Sequence, residues 1–296
     1  MKRFLALCLV SFALIIGIYS CSAPSNTITI GSKDFTEQDI LGELLAQHIE
    51  ANTKLKVNRR LHLGGTFICH EAIKSGQIDA YVEYTGTAFT TILKQKAITD
   101  PKKVYQQLKQ AYSKQFQLEV MPPLGFQNTF AMIIRGDEAR AKNVQTISQA
   151  AKYTPQWQAG FGYEFSERED GLPGLSKTYN LKFTKPPKII DLGLLYQALQ
   201  QKQVDIVAGN STDGAIPRLD LVVLTDDKQY FPPYEATPIV RQAALKQHPE
   251  LGNAIAQLGG LIDESQMRRL NYQVEGERRD VKQVVREFLQ AKKLSK

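Results

Sequence analysis

Two aromatic segments far apart in the chain carry the side chains best suited to recognition chemistry. They are Tyr81-Val-Glu-Tyr84-Thr-Gly-Thr87 and Phe231-Pro-Pro-Tyr234, and each follows a run that reads as a β-strand. Residues just past strand ends line the ligand crevice of an open α/β fold. Aromatic π-faces attract quaternary or delocalised cations, which ordinary hydrogen bonds hold poorly. The pattern therefore predicts a site that holds a small cation and does not transform it.

Cys69-His70 is the main alternative, since a thiol beside an imidazole can bind a metal or act as a nucleophile. The other two cysteines, Cys8 and Cys21, belong to the apolar N-terminus. Ile68 and Cys69 fall on the predicted buried side of a helix, where a free cysteine acts as a small core residue. The remaining histidines lack metal-ligand spacing, and the chain has no Gly-x-Ser-x-Gly or HExxH motif. We therefore expect no metal site, no catalytic site and no cofactor.

The elements that must position these side chains alternate between strand and helix. Residues 27–30 read as a strand that stops at Gly31-Ser-Lys33, and residues 55–61 read as the next strand. Between them, apolar residues recur at helical spacing and mark one buried face: Ile40, Leu41, Leu44, Leu45 and Ile49. This strand–helix–strand unit predicts the α/β class.

The second half of the chain repeats the plan of the first. Ser75-Gly-Gln-Ile-Asp-Ala-Tyr81 and Gln201-Lys-Gln-Val-Asp-Ile-Val207 both place a polar turn before a strand, and each strand leads to a helix-opening turn, at Tyr84 or at Asn210. Two α/β lobes of similar build that the chain crosses twice form a hinged clamshell. A single doubly wound sheet is the weaker alternative, because the C-terminal helices would then have no sheet to cover.

The N-terminus has the organisation of a secretory signal. Lys2 and Arg3 precede an apolar stretch, residues 4–18, that is too short to span a bilayer comfortably. Cys21 follows a small residue, an arrangement that resembles the bacterial lipobox, in which the cysteine becomes the lipidated first residue. An uncleaved N-terminal anchor is the alternative. Both place the rest of the chain outside the cytoplasmic membrane and tethered to it.

The predicted organisation therefore has four parts. Residues 1–20 are a signal peptide, residues 21–26 a lipidated N-terminus and tether, residues 27–129 plus 236–296 the first lobe, and residues 130–235 the second lobe. No segment after the signal approaches membrane-spanning length, so the body is not the pore of a transporter.

The charge of the chain is mild and dispersed. The net charge is +7, and +5 remains when Lys2 and Arg3 leave with the signal. The other basic residues include isolated pairs at separate places, such as Arg59-Arg60 and Arg268-Arg269. A protein that binds nucleic acid concentrates basic residues on one face, so we expect no nucleic-acid partner.

Several motifs occur in an order that resembles one protein family. They are Gly31-Ser-Lys-Asp-Phe-Thr-Glu-Gln38, Leu63-Gly-Gly-Thr66, Tyr81-Val-Glu-Tyr-Thr-Gly-Thr87, Gly125-Phe-Gln-Asn-Thr-Phe130, Ser211-Thr-Asp-Gly214 and Phe231-Pro-Pro-Tyr234. Together they resemble the substrate-binding lipoproteins of osmoprotectant ABC importers, which take up glycine betaine, choline, carnitine and similar compatible solutes. The resemblance spans almost the whole mature chain. It implies an α/β clamshell of the type II periplasmic-binding-protein fold, with mixed sheets and a hinge between two lobes.

In that family four tyrosines surround the trimethylammonium head, and the resemblance places their positions at Tyr84, Phe130, Asn210 and Tyr234. Phe130 keeps a ring but loses the hydroxyl. Asn210 replaces a ring with an amide, which both donates and accepts hydrogen bonds, so the ligand is expected to carry a polar group on that side. Two tyrosines in adjoining loops are candidates to replace the missing ring: Tyr163 and Tyr230.

For the carboxylate end of a solute, the resemblance points to Lys33, Thr87 and Arg168. Lys33 and Thr87 lie at turns that lead to helix N-termini, where backbone N–H groups favour an anion. Arg168 lies in a charged stretch, residues 162–174, that is predicted as a loop, and its two-pronged contact to a carboxylate would lock the lobes. The alternative for Arg168 is surface pairing with Glu164, Glu167 or Asp170. Further polar positions match the family near the site: Gln38, Asn128 and Thr66.

These features predict an exported solute-binding protein and not an enzyme. The lobes would close on a small zwitterion or quaternary ammonium solute and present it to ABC permease subunits in the membrane. Three alternatives stay open: a related binder with another cargo, such as a thiol-histidine betaine or an amino-acid derivative; a lipid-anchored exported enzyme; and a sensor that partners a receptor. Asn210 motivates the first, while the second lacks a nucleophile and base in a recognisable context.

Overall fold

A computed structural model describes residues 26–216 and 218–294. The predicted signal peptide and Cys21 lie outside the described residues. Within the described part of the chain, no helix combines the length and the apolar character needed to cross a bilayer. These residues form two β-sheets with helices packed against them.

The strands fall into two sheets with the same internal arrangement. In chain order they are β1 (Thr27–Gly31), β2 (Lys56–Arg60), β3 (Ala80–Tyr84), β4 (Leu118–Val120), β5 (Phe130–Arg135), β6 (Ala159–Phe161), β7 (Lys188–Ile189), β8 (Ile206–Asn210), β9 (Leu221–Val223) and β10 (Ala236–Arg241). The first sheet has the order β2–β1–β3–β10–β4, and the second β7–β6–β8–β5–β9. One strand runs antiparallel to its neighbours in each, β10 in the first sheet and β5 in the second. The two mixed sheets agree with the predicted repeat of one α/β plan.

The helices follow the strands of each sheet. They are α1 (Thr36–Asn52), α2 (Thr66–Lys74), α3 (Thr85–Thr87), α4 (Pro101–Phe116), α5 (Gly136–Lys142), α6 (Ile147–Ala150), α7 (Tyr163–Glu167), α8 (Leu172–Tyr179), α9 (Leu195–Gln200), α10 (Gln242–Gln247), α11 (Pro249–Ala256), α12 (Glu264–Glu275) and α13 (Val281–Ala291). A π-helical turn, Ala88–Ile92, extends α3, and a 3₁₀ turn, Leu192–Leu194, precedes α9. The C-terminal helices α12 and α13 pack against α1 and therefore belong with the first sheet.

The chain passes between the sheets twice, and the two connections lie side by side. The first connection, residues 121–129, leads from β4 to β5, and the second, residues 224–235, leads from β9 to β10. The backbone N–H of Asn128 donates to the carbonyl of Tyr234 at 3.0 Å, and Gln127 forms an antiparallel bridge with Glu235. Paired connections of this kind form a hinge between two packed bodies.

The helical spacing of the apolar residues predicted the buried face of α1 correctly. All five apolar residues of the predicted face are buried: Ile40, Leu41, Leu44, Leu45 and Ile49. They belong to one core cluster with strands of the first sheet and with the C-terminal helices. Full burial of such a side chain stabilises the fold by roughly 1.5–3 kcal/mol, so α1 anchors the segment that carries Lys33.

Two local predictions are wrong. Residues 162–174 are not a loop, because α7 and the start of α8 lie there, and Phe165 packs into the core of the second sheet at 2 % exposure. The density of charged residues in this stretch led to the loop prediction, although short helices form there. Ile68 is not buried but 56 % exposed, since the sheet covers the side of α2 that carries Cys69 and Ile73.

Candidate functional site

A cavity of about 610 Å³ opens between the two sheets, at the ends of their strands. Eight of the ten residues that the sequence predicts for the binding site line it: Lys33, Tyr84, Thr87, Asn128, Phe130, Arg168, Asn210 and Tyr234. The other two lie behind its wall. Gln38 is buried in α1, and Thr66 is buried at the start of α2, where its hydroxyl accepts a hydrogen bond from Lys33 at 3.0 Å. The fold therefore brings segments from both halves of the chain to one place.

Aromatic rings from separate elements line this cavity. Tyr84 ends β3, Phe130 begins β5, and Tyr234 lies in the connection to β10. The ring centroids of Phe130 and Tyr234 are 6.1 Å apart, with the planes inclined at 68°. Phe35 stacks on Tyr84 at 6.5 Å, and Phe165 meets Phe130 edge-on at 5.0 Å. One ring face is already in contact with a cation of the protein, because Arg168 Cζ lies 5.0 Å from the centroid of the Phe130 ring, and π-faces of this kind attract cations.

The two tyrosine rings are held in place through their hydroxyl groups. The Tyr84 hydroxyl donates to Glu37 Oε1 at 2.6 Å, and the Tyr234 hydroxyl donates to Asp170 Oδ2 at 2.6 Å. Burial and the adjoining carboxylates raise the pKa of both phenols well above their usual value. Both therefore remain neutral donors, and each ring has a fixed orientation before a ligand arrives, which lowers the entropic cost of binding.

Glu37 is the centre of this anchoring network. Its carboxylate is 3 % exposed and accepts hydrogen bonds from Tyr84 at 2.6 Å, Asn128 at 2.8 Å, Thr212 at 2.5 Å and Asn271 at 2.8 Å. Burial raises the pKa of Glu37, and these hydrogen bonds counter part of that effect. Because Thr212 follows β8 of the second sheet and Asn271 lies in α12, the carboxylate joins the two sides of the cavity.

Arg168 is buried and already bound to carboxylates of the protein. Its Nε and Nη2 donate to the two oxygens of Asp170 at 2.8 and 2.6 Å, and Nη1 donates to Glu164 at 3.3 Å. Nη2 also donates to Thr87 Oγ1, on the opposite side of the cavity, at 3.1 Å. The two-pronged contact expected for a ligand is thus made to Asp170. Pairing with neighbouring acids was the alternative, but it occurs in the interior and not on the surface.

Burial and pairing act in opposite directions on this ion pair. Burial lowers the pKa of Arg168, but the hydrogen bonds and charge of Asp170 outweigh burial and raise it above its usual value. Burial also raises the pKa of Asp170, and Arg168, Tyr234 and Thr90 together outweigh burial and lower it. Both groups are therefore charged at neutral pH, and each depends on the other for its solvation.

Lys33, like Arg168, is paired with a buried carboxylate, and this pair lies on the opposite side of the cavity. Its Nζ lies 2.5 Å from Glu83 Oε1, and Glu83 is fully buried in β3. The same Nζ lies 5.2 Å from the centroid of the Tyr84 ring. The side-chain carboxylate of Glu164 accepts hydrogen bonds from the backbone N–H and the hydroxyl of Thr66, so it occupies the N-terminus of α2. Both cations that line the cavity therefore have protein carboxylates as partners.

Asn210 lines the cavity at the end of β8, directly opposite Phe130 in the register of β5. Its backbone N–H donates to Asp213 Oδ2 at 2.8 Å, and its amide Nδ2 lies 3.4 Å from Asp213 Oδ1. Of the two tyrosines proposed to replace the missing ring, Tyr163 lines the cavity but is 69 % exposed, and Tyr230 does not line it.

Cys69 and His70 do not line the cavity. Burial raises the pKa of the Cys69 thiol to about 12, and its S–H donates to the carbonyl of Ser32 at 3.4 Å. Burial lowers the pKa of His70 to about 4, and its ring packs edge-on against Phe116 at 4.8 Å. Within residues 26–216 and 218–294, no group of three or more metal-binding side chains converges.

The acidic partners are what the sequence analysis missed. Glu37 and Glu83 both lie inside the motifs that carry the family resemblance. Their positions within a predicted buried helix and a predicted buried strand could have revealed them, because a buried charge requires a partner. Glu164 and Asp170 were considered only as surface partners of Arg168.

A cavity between two equivalent α/β bodies, joined by paired connections and bridged from both sides, defines a two-lobed solute-binding protein. Residues 26–291 match the family described as the substrate binding domain of the ABC-type glycine betaine transport system, and the chain belongs to this family. The chain is thus the solute-binding component of an ABC importer. Such proteins bind a small ligand outside the cytoplasmic membrane and work with the importer's permease.

Known relatives agree with this assignment. The carnitine transport binding protein OpuCC of Listeria monocytogenes is 37 % identical over 302 residues, which cover 98 % of this chain and 96 % of the relative. The ergothioneine transport permease/ergothioneine binding protein EgtU of Helicobacter pylori is 34 % identical over 264 residues, 89 % of this chain and 47 % of the relative. A crystal structure of a glycine betaine/carnitine/choline ABC transporter superposes with a TM-score of 0.74 at 34 % identity, covering 90 % of this chain and 99 % of that one. The two-lobed clamshell prediction is confirmed.

Proposed function

We propose that this protein captures a small solute with a quaternary ammonium head, of the glycine betaine, choline or carnitine kind, and delivers it to an ABC permease without altering it chemically. The observation that carries the proposal is the set of rings around one cavity, Tyr84, Phe130 and Tyr234, with both hydroxyls turned to buried carboxylates. A desolvated cation gains up to about 2 kcal/mol from each such ring. The relatives whose names include carnitine and glycine betaine support this ligand class.

The proposed mechanism is closure of two lobes on the solute. We propose that residues 27–129 and 236–296 form one lobe and residues 130–235 the other. Four direct contacts support a closed state that is stabilised across the cavity: Thr66 with Glu164, Thr87 with Arg168, and both Thr90 and Thr91 with Asp170. Gln38 and Asn128 are proposed to support the site through the Glu37 region, since the Asn128 amide donates to Glu37.

A different zwitterion is the second candidate ligand. Asn210 favours it, because an amide replaces one ring of the family cage and offers a hydrogen-bonding surface instead. The relative named as an ergothioneine binder supports a cargo of this kind. For the N-terminus, we propose that residues 1–20 direct export and that Cys21 carries a lipid anchor that keeps the protein near its permease.

Calorimetric titration of the purified protein tests the ligand class. We expect at least one of glycine betaine, choline and carnitine to bind in the micromolar range or tighter, with proline as the control solute that lacks a quaternary ammonium group. Stabilisation of the folded protein against heat should follow the same ranking, since a ligand that binds only the folded state raises its stability. Failure of all three, with binding of proline or of none, contradicts the proposal.

A substitution at Gly86 tests the site without replacing any residue that is proposed to contact the ligand. A Cβ at position 86 would lie 2.7 Å from the Pro233 carbonyl oxygen and 2.7 Å from the Tyr234 ring. The carbonyl belongs to the backbone and cannot move freely, so Gly86→Ala is expected to displace the Tyr234 ring and weaken binding by about tenfold. Gly252→Ala is the matched control, because the nearest atom to its added Cβ is 3.4 Å away. Unchanged affinity in Gly86→Ala would place the ligand away from Tyr234.

A further inference from the structure

The mouth of the cavity is apolar on both sides. Large apolar side chains line it and remain exposed to solvent: Phe67, Ile68, Tyr163, Ile189 and Leu192. Their exposed fractions range from 37 % for Leu192 to 69 % for Tyr163. In the part of the chain that the structure describes, the other large hydrophobics with this exposure are Leu194 and Val223, and neither lines the cavity. An exposed apolar patch concentrated at one cavity marks a binding surface.

These residues come from both bodies of the protein. Phe67 and Ile68 lie in the first turn of α2, while Tyr163 begins α7 and Ile189 ends β7. They therefore flank the entrance between the two sheets, and a ligand that extends outward from the ring-lined interior meets them. We call this set, with Leu192, the apolar rim.

The cavity has room for such an extension. Its volume of about 610 Å³ falls in the range of sites that bury drug-sized ligands, which exceed glycine betaine in size. A second cavity of about 560 Å³ adjoins it, and the two share lining residues that include Asp191, Leu192 and Asn210. A ligand limited to a trimethylammonium group and a short polar tail would leave the rim uncovered.

The charges around the cavity do not call for a carboxylate on that extension. Lys33 and Arg168 already form ion pairs with Glu83 and Asp170, and the side-chain carboxylate of Glu164 occupies the N-terminus of α2. The lining outside these pairs adds further acids: Asp34, Glu167 and Asp191. An anionic tail would face carboxylates without a free cation, whereas an uncharged tail avoids that repulsion.

Resting on the proposed capture of quaternary ammonium solutes, we propose that the preferred substrate class is a quaternary ammonium cation with an uncharged apolar or aromatic tail. The head lies among Tyr84, Phe130 and Tyr234, and the tail lies along the apolar rim. Burial of the tail removes apolar surface of both ligand and rim from water, which adds to the cation–π attraction of the head.

Calorimetric titration with three probes tests the proposal: tetramethylammonium, benzyltrimethylammonium and glycine betaine. Benzyltrimethylammonium adds an aromatic tail to the common head, and glycine betaine adds a carboxylate. We expect benzyltrimethylammonium to bind about tenfold more tightly than either of the others. Equal or tighter binding of tetramethylammonium or glycine betaine overturns the proposal while leaving the proposed capture of quaternary ammonium solutes intact. Absence of binding by all three overturns both.

A matched pair of surface variants locates the tail. Ile68 and Leu194 are 56 % and 53 % exposed, so substitution of either leaves the core untouched, but only Ile68 lines the cavity. Ile68→Ser is expected to remove most of the advantage of benzyltrimethylammonium and to leave tetramethylammonium binding unchanged, whereas Leu194→Ser changes neither. If the rim instead serves only to dock the permease, Ile68→Ser will leave the binding of both ions as in the wild type, and the proposal is then wrong.

Discussion

Replacement of Tyr234 by alanine is expected to weaken binding of a quaternary ammonium solute by about 30-fold, because a desolvated cation–π contact contributes up to about 2 kcal/mol. The Tyr234 ring is 2 % exposed and lies 6.1 Å from that of Phe130, so its loss removes one wall of the cage. Lys293→Ala, at an exposed residue of the C-terminus, should leave the affinity unchanged. Calorimetric titration of both variants measures the difference, and equal affinities would remove Tyr234 from the site.

Tyr234→Phe separates the two functions of this side chain. It keeps the π-face but deletes the hydroxyl that donates to Asp170 at 2.6 Å. We expect it to retain most of the affinity that Tyr234→Ala loses and to reduce the free energy of unfolding, because Asp170 loses one of its hydrogen bonds. A loss of affinity as large as that of the alanine variant would show that orientation by Asp170, and not the ring itself, governs binding.

The largest effect on folding is expected from Arg168→Leu. This variant leaves Asp170, which is 6 % exposed, as a buried carboxylate without its main partner. Removing one member of a buried ion pair costs about 3–5 kcal/mol, and denaturant unfolding monitored by circular dichroism measures it. Arg140→Leu is the matched control, since Arg140 forms the same two-pronged pair with Asp220 but both side chains are 65 % exposed. Its effect should be small, and comparable losses in the two variants would contradict the assignment.

The difference in unfolding free energy between the wild type and Arg168→Leu is expected to depend on pH in one direction. Arg168 and its neighbours lower the pKa of Asp170 in the folded protein. The ion pair of Asp170 therefore stabilises the fold fully at pH values above the pKa that Asp170 has in the unfolded chain. This stabilisation is lost as the pH falls through the lower pKa that Asp170 has in the folded protein. In Arg168→Leu the partner is absent, so the difference in unfolding free energy between wild type and variant should narrow on acidification below about pH 4. A constant difference across that range would exclude the ion pair as its cause.

Much of the fold followed from local pattern. The apolar period of α1, the repeated polar turn before a strand and the Pro-Pro and Gly-containing turns each depend on a few neighbouring residues, and these elements are present in the structure. The motifs also predicted the site residues well, because eight of the ten predicted residues line one cavity in the structure. Their roles in binding remain predictions.

What the sequence determined by itself was the two-lobed α/β plan and the aromatic and polar residues at strand ends, because periodicity and turn chemistry act over short distances along the chain. Only the tertiary structure decided which charges meet. Glu37 accepts hydrogen bonds from Thr212 and Asn271, which are 175 and 234 residues away in sequence. Asp170 makes the two-pronged contact with Arg168 that was predicted for a carboxylate of the ligand. Exposure of Ile68 was likewise decided by which side of α2 the sheet covers. Such contacts depend on how separate segments pack, and no local pattern encodes that packing.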